Sequence, residues 1–272
     1  MNFKRRYVLF FILSLIFLLT ALLSGVGASQ LGSSVAPVEM MRELSLWTGL
    51  IFLIISMQKQ LELRELNLMQ ILGRILLCLV FFWGGLLFLK LKSGFVRSEI
   101  HSLDFIIFLV IAAVTARIFV FIRSLIFIKQ TKRTSGIFMF MFCLLMLHVF
   151  FSAFLSGDMG SIELDMGFSF ERTSLARIVF VLLVIMFFVN SFRCKWIHFL
   201  NKRQKLGIFF LGIIVHVLFI SGAALANIEL GHYSSSGAVF IKDVYIFFSV
   251  YSGFSLLVIL LHLPSAGLVD RR

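Results

Sequence analysis

The chain has 272 residues, of which 60% are hydrophobic and only 14% charged, and its mean hydropathy is +1.05. Soluble domains are nearer 45–50% apolar and about 25% charged, so one aqueous core is excluded and lipid must serve as solvent. The formal charge of +12 would suggest nucleic acid in a soluble protein; in a membrane protein it reads as Lys and Arg holding loops on the cytoplasmic side and facing anionic lipids there.

A membrane-crossing helix needs about 20 apolar residues. Eight stretches meet this, over 7–28, 38–57, 71–91, 105–128, 136–155, 175–192, 206–226 and 239–263, which predicts an all-α, polytopic transmembrane helical bundle forming a single membrane domain. The first stretch follows a basic start (Met1 to Arg6) and ends near Val26-Gly27-Ala28, as a cleaved signal would. Its apolar run of about 18 residues exceeds the 7–15 of a signal peptide, so it is expected to stay as an anchor; cleavage would leave seven spans. The second stretch has Glu39, Arg42 and Glu43 crowded at its start, yet dropping it would invert every later loop.

With these eight spans and an inward N-terminus, 17 of the 25 Lys and Arg are cytoplasmic and 7 are outside, with Arg117 alone inside the membrane. Both termini are therefore expected in the cytoplasm. Gln58 to Gln70 is expected to prolong its two neighbouring helices, and Arg193 to Lys205, where Trp196 and Phe199 alternate with bases, to lie in the inner interface. Ser156 to Ser174 reads as a solvated acidic loop. Ala112, Ala113, Ala116, Gly84, Gly85, Gly222, Ala226 and Gly253 supply small surfaces for close helix packing.

Ionisable groups at membrane depth are the functional candidates, because each is costly unless paired or hydrated. Arg117 lies six residues deeper than Arg123, and no acid in the mid-membrane runs is available to it. Backbone carbonyls, Asn190, Tyr251 or a lipid phosphate would have to serve, as an anionic-ligand site or a structural arrangement. His148 and His216 lie about 12 and 10 residues from the entries of their spans at Gly136 and Leu206. Similar depth would suit two axial ligands of haem b, or two packed, hydrogen-bonded histidines, or proton sensing. Lys242 and Asp243 are expected to neutralise each other at the outer interface. His262 marks the inner end of the last span.

No HExxH, GxSxG or P-loop occurs, and Cys78, Cys143 and Cys194 stand singly without metal-ligand spacing. Neither catalysis nor a bound metal is expected, and no resident cofactor unless the two histidines hold haem.

Leu260-Leu261-His262-Leu263-Pro264, followed by Leu268-Val269-Asp270-Arg271, resembles the end of the multi-pass N-terminal membrane region of bacterial sensor proteins. In that family a last helix ending in His-Leu-Pro leads through a signalling helix to a GAF-type domain and a phosphatase or histidine-kinase output. The resemblance covers about a dozen residues. It implies a bacterial cytoplasmic-membrane protein that senses in its bundle and transmits inward past His262, Pro264 and Asp270. The output would lie in a continuation of the chain or in a separate protein partner. The competing readings are a structural subunit of a larger membrane complex, and a small-molecule carrier or b-haem protein.

Overall fold

The computed structural model describes residues 3–30, 36–62, 68–95, 102–126, 132–155, 174–191, 197 and 200–262. Helices α1 (Phe3–Gln30), α2 (Ala36–Glu62), α3 (Leu68–Phe95) and α4 (Ser102–Ile126) are followed by α5 (Lys132–Phe150). The last of these runs directly into a π-helical turn, Phe151–Leu155. Then come α6 (Ser174–Ser191), α7 (Lys202–Leu230) and α8 (Ser235–His262). No strand occurs among the described residues. Hydrocarbon offers the backbone no partners, so each apolar run satisfies its N–H and C=O groups internally as a helix.

Seven of the helices are long and apolar enough to cross a membrane; α6, the remaining expected span, carries a shorter apolar stretch, Ala176–Val189. Each helix overlaps its expected segment. The largest extension is in α7, by four residues at each end; α2 also starts earlier, and its first turn includes Pro37, a position where the missing N–H costs nothing. As expected, Gln58 to Glu62 prolongs α2 and Leu68 to Gln70 begins α3. Of Arg193 to Lys205, the basic end Lys202 to Lys205 belongs to α7, while most of the remainder lies outside the described residues, as do 156–173.

Consecutive helices pair as α1·α2, α3·α4, α5·α6 and α7·α8. The last helix is the common neighbour: α8 packs against α2, α4, α5, α6, α7 and the π turn. Its face residues Val239, Phe240, Ile241, Val244, Tyr245 and Phe247 are all at most 3% exposed. By contrast α1 leaves Val8, Leu9, Phe11, Ile12, Leu15 and Ile16 on the outside, the surface lipid would wet.

Small residues set the closest approaches. A Cβ at Gly222 would come within 2.6 Å of the Tyr245 ring, so only glycine lets α7 and α8 meet there. Gly85 plays the same part against Ile111 of α4, whereas its neighbour Gly84 faces open space. Aromatic pairs fill the centre, with Phe187 stacked on Phe247 at 4.4 Å and Tyr245 against Phe82 at 4.2 Å.

Candidate functional site: polar contacts that converge on the last helix

Three separated groups of polar side chains reach α8, each from a different helix. At its start, Ser234 is the N-cap and its Oγ accepts from the Gly237 N–H at 3.1 Å. The buried carboxylate of Glu43 (1% exposed), from α2, completes the cap. Its Oε2 accepts from Ser234 Oγ at 2.6 Å, Ser236 N–H at 3.0 Å and Ser236 Oγ at 2.5 Å. Its Oε1 accepts from Ser235 N–H at 3.2 Å and from the Arg42 guanidinium at 3.2 Å. An anion at a helix N-terminus meets the positive end of the dipole and the unpaired N–H groups of the first turn. The charges that made the second segment look weak are thus the ones that fasten α2 to α8.

Two turns further along α8, Asp243 is fully buried and pairs with His148 of α5, Nδ1 to Oδ2 at 2.6 Å. A carboxylate only accepts, so Nδ1 carries a proton. The other ring nitrogen, Nε2, lies 3.1 Å from Ser152 Oγ. A neutral ring accepts the hydroxyl proton there, and an imidazolium donates. Ser152 stands one turn after His148, inside the π turn, a backbone variant that recurs at functional sites. The ring also packs against Phe180 of α6 at 5.1 Å. Nearby, the Trp47 indole N–H donates to the Met146 carbonyl at 3.1 Å, tying α2 to α5 just before the π turn. The second carboxylate oxygen, Asp243 Oδ1, is buried with no hydrogen-bond partner. An unpaired buried acceptor is costly and is open to a proton or to an incoming donor.

The expected neighbour pairing of Lys242 with Asp243 does not form. Adjacent residues on a helix point about 100° apart, and Asp243 turns into the bundle toward His148 instead.

In the third group, the Ser252 hydroxyl donates to the Ser249 carbonyl at 3.1 Å, so its oxygen accepts from His216 Nδ1–H of α7 at 2.9 Å. Gly253 makes room for this ring, since a Cβ there would lie 3.2 Å from it. Asp243 and Ser252 are nine residues apart on α8. That is about 13 Å of rise and half a turn of rotation. His148 and His216 therefore meet α8 at different depths and on opposite sides. The matching depth read from the sequence is corrected, and α8 stands where a macrocycle between the two rings would sit.

An apolar cleft of about 90 Å3 opens beside the third group, between α3, α7 and α8, with Ile75, Val215, Phe219, Tyr251, Ser252 and Leu256 in its walls. Arg117 reaches none of the three groups: it lies on an exposed face of α4 with its guanidinium 5.7 Å from the Phe121 ring centroid. The side chains of Asn190 and His262, and all of Pro264 and Asp270, lie outside the described residues. Among the described residues no cluster of three or more His, Cys, Asp or Glu is arranged to hold a metal ion.

Sequence reading missed Glu43, Asp243 and Ser152 as members of sites. Their partners are 191, 95 and 4 residues away; only the last separation is a helical spacing that a sequence displays. Compared with family models, with curated proteins and with solved structures, the chain matches none.

Proposed function

We propose that the chain is a non-catalytic multi-pass membrane sensor, or signal-transmission module, that passes a change of state inward along α8. In this reading eight spans, the first an uncleaved anchor, cross a bacterial cytoplasmic membrane with both termini inside. The exit at His262, Pro264 and Asp270 acts on a continuation of the chain or a docked protein partner.

The observation that carries the reading is the buried His148–Asp243 pair, with one carboxylate oxygen left unpartnered, on the helix that most of the bundle touches. A buried pair strongly penalises loss of either partner, so the link is a two-position device. Intact, it holds α8 against α5. When Asp243 Oδ1 takes a proton or a competing donor, the attraction weakens and α8 is free to shift against its Glu43 anchor. A ligand moves such an equilibrium only by its differential affinity for the two positions, and Asp243 supplies that difference.

The test is hydrogen–deuterium exchange in lipid nanodiscs on the wild type and Asp243→Asn. Faster exchange along the inner half of α8, Ser249 to His262, with α1 and α2 unchanged, supports transmission. Identical exchange along α8 refutes it.

A second reading is carried by Ser152 Oγ, His148 Nε2 and Asp243 Oδ2 standing in the order of a nucleophile, its base and the group that orients the base. In it Ser152 Oγ attacks an acyl carbonyl, His148 passes the hydroxyl proton to the departing alkoxide, and water releases the acyl-enzyme. Covalent labelling of the wild type but not Ser152→Ala by a fluorophosphonate would establish it; an unlabelled wild type removes it.

A further inference from the structure

The inference concerns a different part of the bundle, where α3 and α4 pack as antiparallel neighbours. Their register follows from two contacts. Gly85 faces Ile111, and the Arg74 guanidinium lies 6.0 Å from the centroid of the Phe121 ring. Arg117, one turn before Phe121 on α4, places its own guanidinium 5.7 Å from the same centroid. Phe121 is 1% exposed. Two cations, one from each helix, thus lie within about 6 Å of the centre of one buried ring.

Both arginines lie within stretches apolar enough to cross a membrane. Arg74 is six residues from the start of α3, about 9 Å, and Arg117 nine from the end of α4, about 13 Å. These two helix ends are on the same side of the bundle, the side that the distribution of Lys and Arg assigns to the cytoplasm. Arginine stems bend toward the nearer interface, which brings the two head groups toward one level. The sequence reading tallied Arg74 among the cytoplasmic charges, although it falls inside the expected span 71–91; with α3 beginning at Leu68, Arg74 stands well inside the helix.

Two guanidiniums at such a depth repel each other and need an anion. Among the described residues neither arginine has an ion pair or hydrogen bond: the carboxylates of Glu43 and Asp243 are engaged at other sites. The aromatic ring relieves part of the cost but carries no negative charge. Among the described residues no carboxylate supplies that charge, which leaves the pair open to an anion from outside the chain. A guanidinium fork suits phosphate oxygens in bidentate fashion, and arginines that reach toward the inner interface meet the anionic head groups of that leaflet.

We infer that Arg74 and Arg117 form a binding site for a phosphate group, in which each guanidinium bonds phosphate oxygens beside the Phe121 ring. The phosphate belongs either to an anionic phospholipid or to a free phosphate; the chemistry of recognition is the same.

The test is native mass spectrometry of the purified full chain, with phosphatidylglycerol, phosphatidylcholine or inorganic phosphate added separately. Melting curves are recorded on the same samples. The wild type is expected to bind phosphatidylglycerol in preference to phosphatidylcholine. Arg74→Gln or Arg117→Gln should each weaken that binding about ten- to a hundredfold, the loss expected for a charged hydrogen-bonding group. Arg123→Gln, whose guanidinium lies over Phe138 instead, should weaken it much less.

Saturable phosphate binding that disappears in the Arg74→Gln/Arg117→Gln double variant also supports the site and names free phosphate as the source. If that variant is less stable, the melting curves still decide, because only a chain with the site gains melting temperature from added ligand. Equal lipid and phosphate binding, and equal ligand-induced melting shifts, in wild type and double variant would overturn the inference.

Discussion

The His148–Asp243 pair makes an unequal prediction for its two halves. His148→Ala leaves a fully buried carboxylate without its only described partner. Stranding a buried charge in this way costs about 3–5 kcal/mol. Asp243→Ala strands a neutral-capable imidazole that keeps Ser152 and Phe180 as neighbours. That costs nearer the ~1–3 kcal/mol of one buried unsatisfied group. For a chain of this length each kcal/mol moves Tm by about 2–4 °C, so His148→Ala should lower Tm by about 6 °C or more, and Asp243→Ala by less. Adding Asp243→Asn to His148→Ala removes the stranded charge and should recover part of the loss, a coupling of ~0.5–3 kcal/mol. The assay is intrinsic-fluorescence melting in one detergent at one pH for the wild type, both alanine variants, Asp243→Asn and the His148→Ala/Asp243→Asn double variant. Additive losses, or a milder effect for His148→Ala than for Asp243→Ala, would refute a charged pair linking α5 to α8.

Other parts of the bundle give sharper contrasts. Glu43→Ala removes the acceptor for four groups at the start of α8; at ~1–3 kcal/mol per buried group left unpaired, exchange over Ser234 to Phe240 should rise before the rest of the helix is affected. Gly222→Ala drives a methyl to 2.6 Å from the Tyr245 ring and should cost about 1–3 kcal/mol. Gly84→Ala meets nothing within 4 Å and should be neutral or stabilising by up to about 1 kcal/mol. Equal melting temperatures for these two variants would contradict the packing. In the turn before α8, burial first, then the carboxylates of Asp104 and Glu229, push the Tyr233 phenol above its ordinary value of 10.0. A raised value favours the protonated form in the fold. The stabilisation is thus complete below the ordinary value and is lost as pH rises through the raised one. Absorbance titration at alkaline pH should show a late-ionising phenol that Tyr233→Phe removes.

The spans were legible because their signal is local: about 20 apolar residues between charged boundaries is a property of the chain itself. Retaining the charged second segment was decided by loop balance, and the structure supplies the reason those charges are tolerated, since Glu43 caps a helix that begins 192 residues later. Asp243 looked like half of a neighbour pair because a sequence shows adjacency and hides direction. Arg74, inside the expected span 71–91, was tallied with the cytoplasmic charges because a sequence shows charge and hides depth; it stands six residues into α3, which starts at Leu68. Two adjacent glycines, Gly84 and Gly85, carried the same packing expectation, and only Gly85 touches another helix. Periodicity alone does not choose between two faces of an apolar helix in lipid, where no polar side marks the exterior.

The account's central claim is that the state of the Asp243 carboxylate sets the position of α8. Its most direct measurement is the distance between spin labels at Leu260→Cys, on an exposed face near the end of α8, and Met69→Cys, exposed at the start of α3. The background lacks the three native cysteines. Wild type and Asp243→Asn are compared in nanodiscs by double electron–electron resonance. The account predicts a resolved shift or broadening of the distance distribution in Asp243→Asn, with a reference pair on α1 and α2 unchanged; superimposable distributions would contradict it.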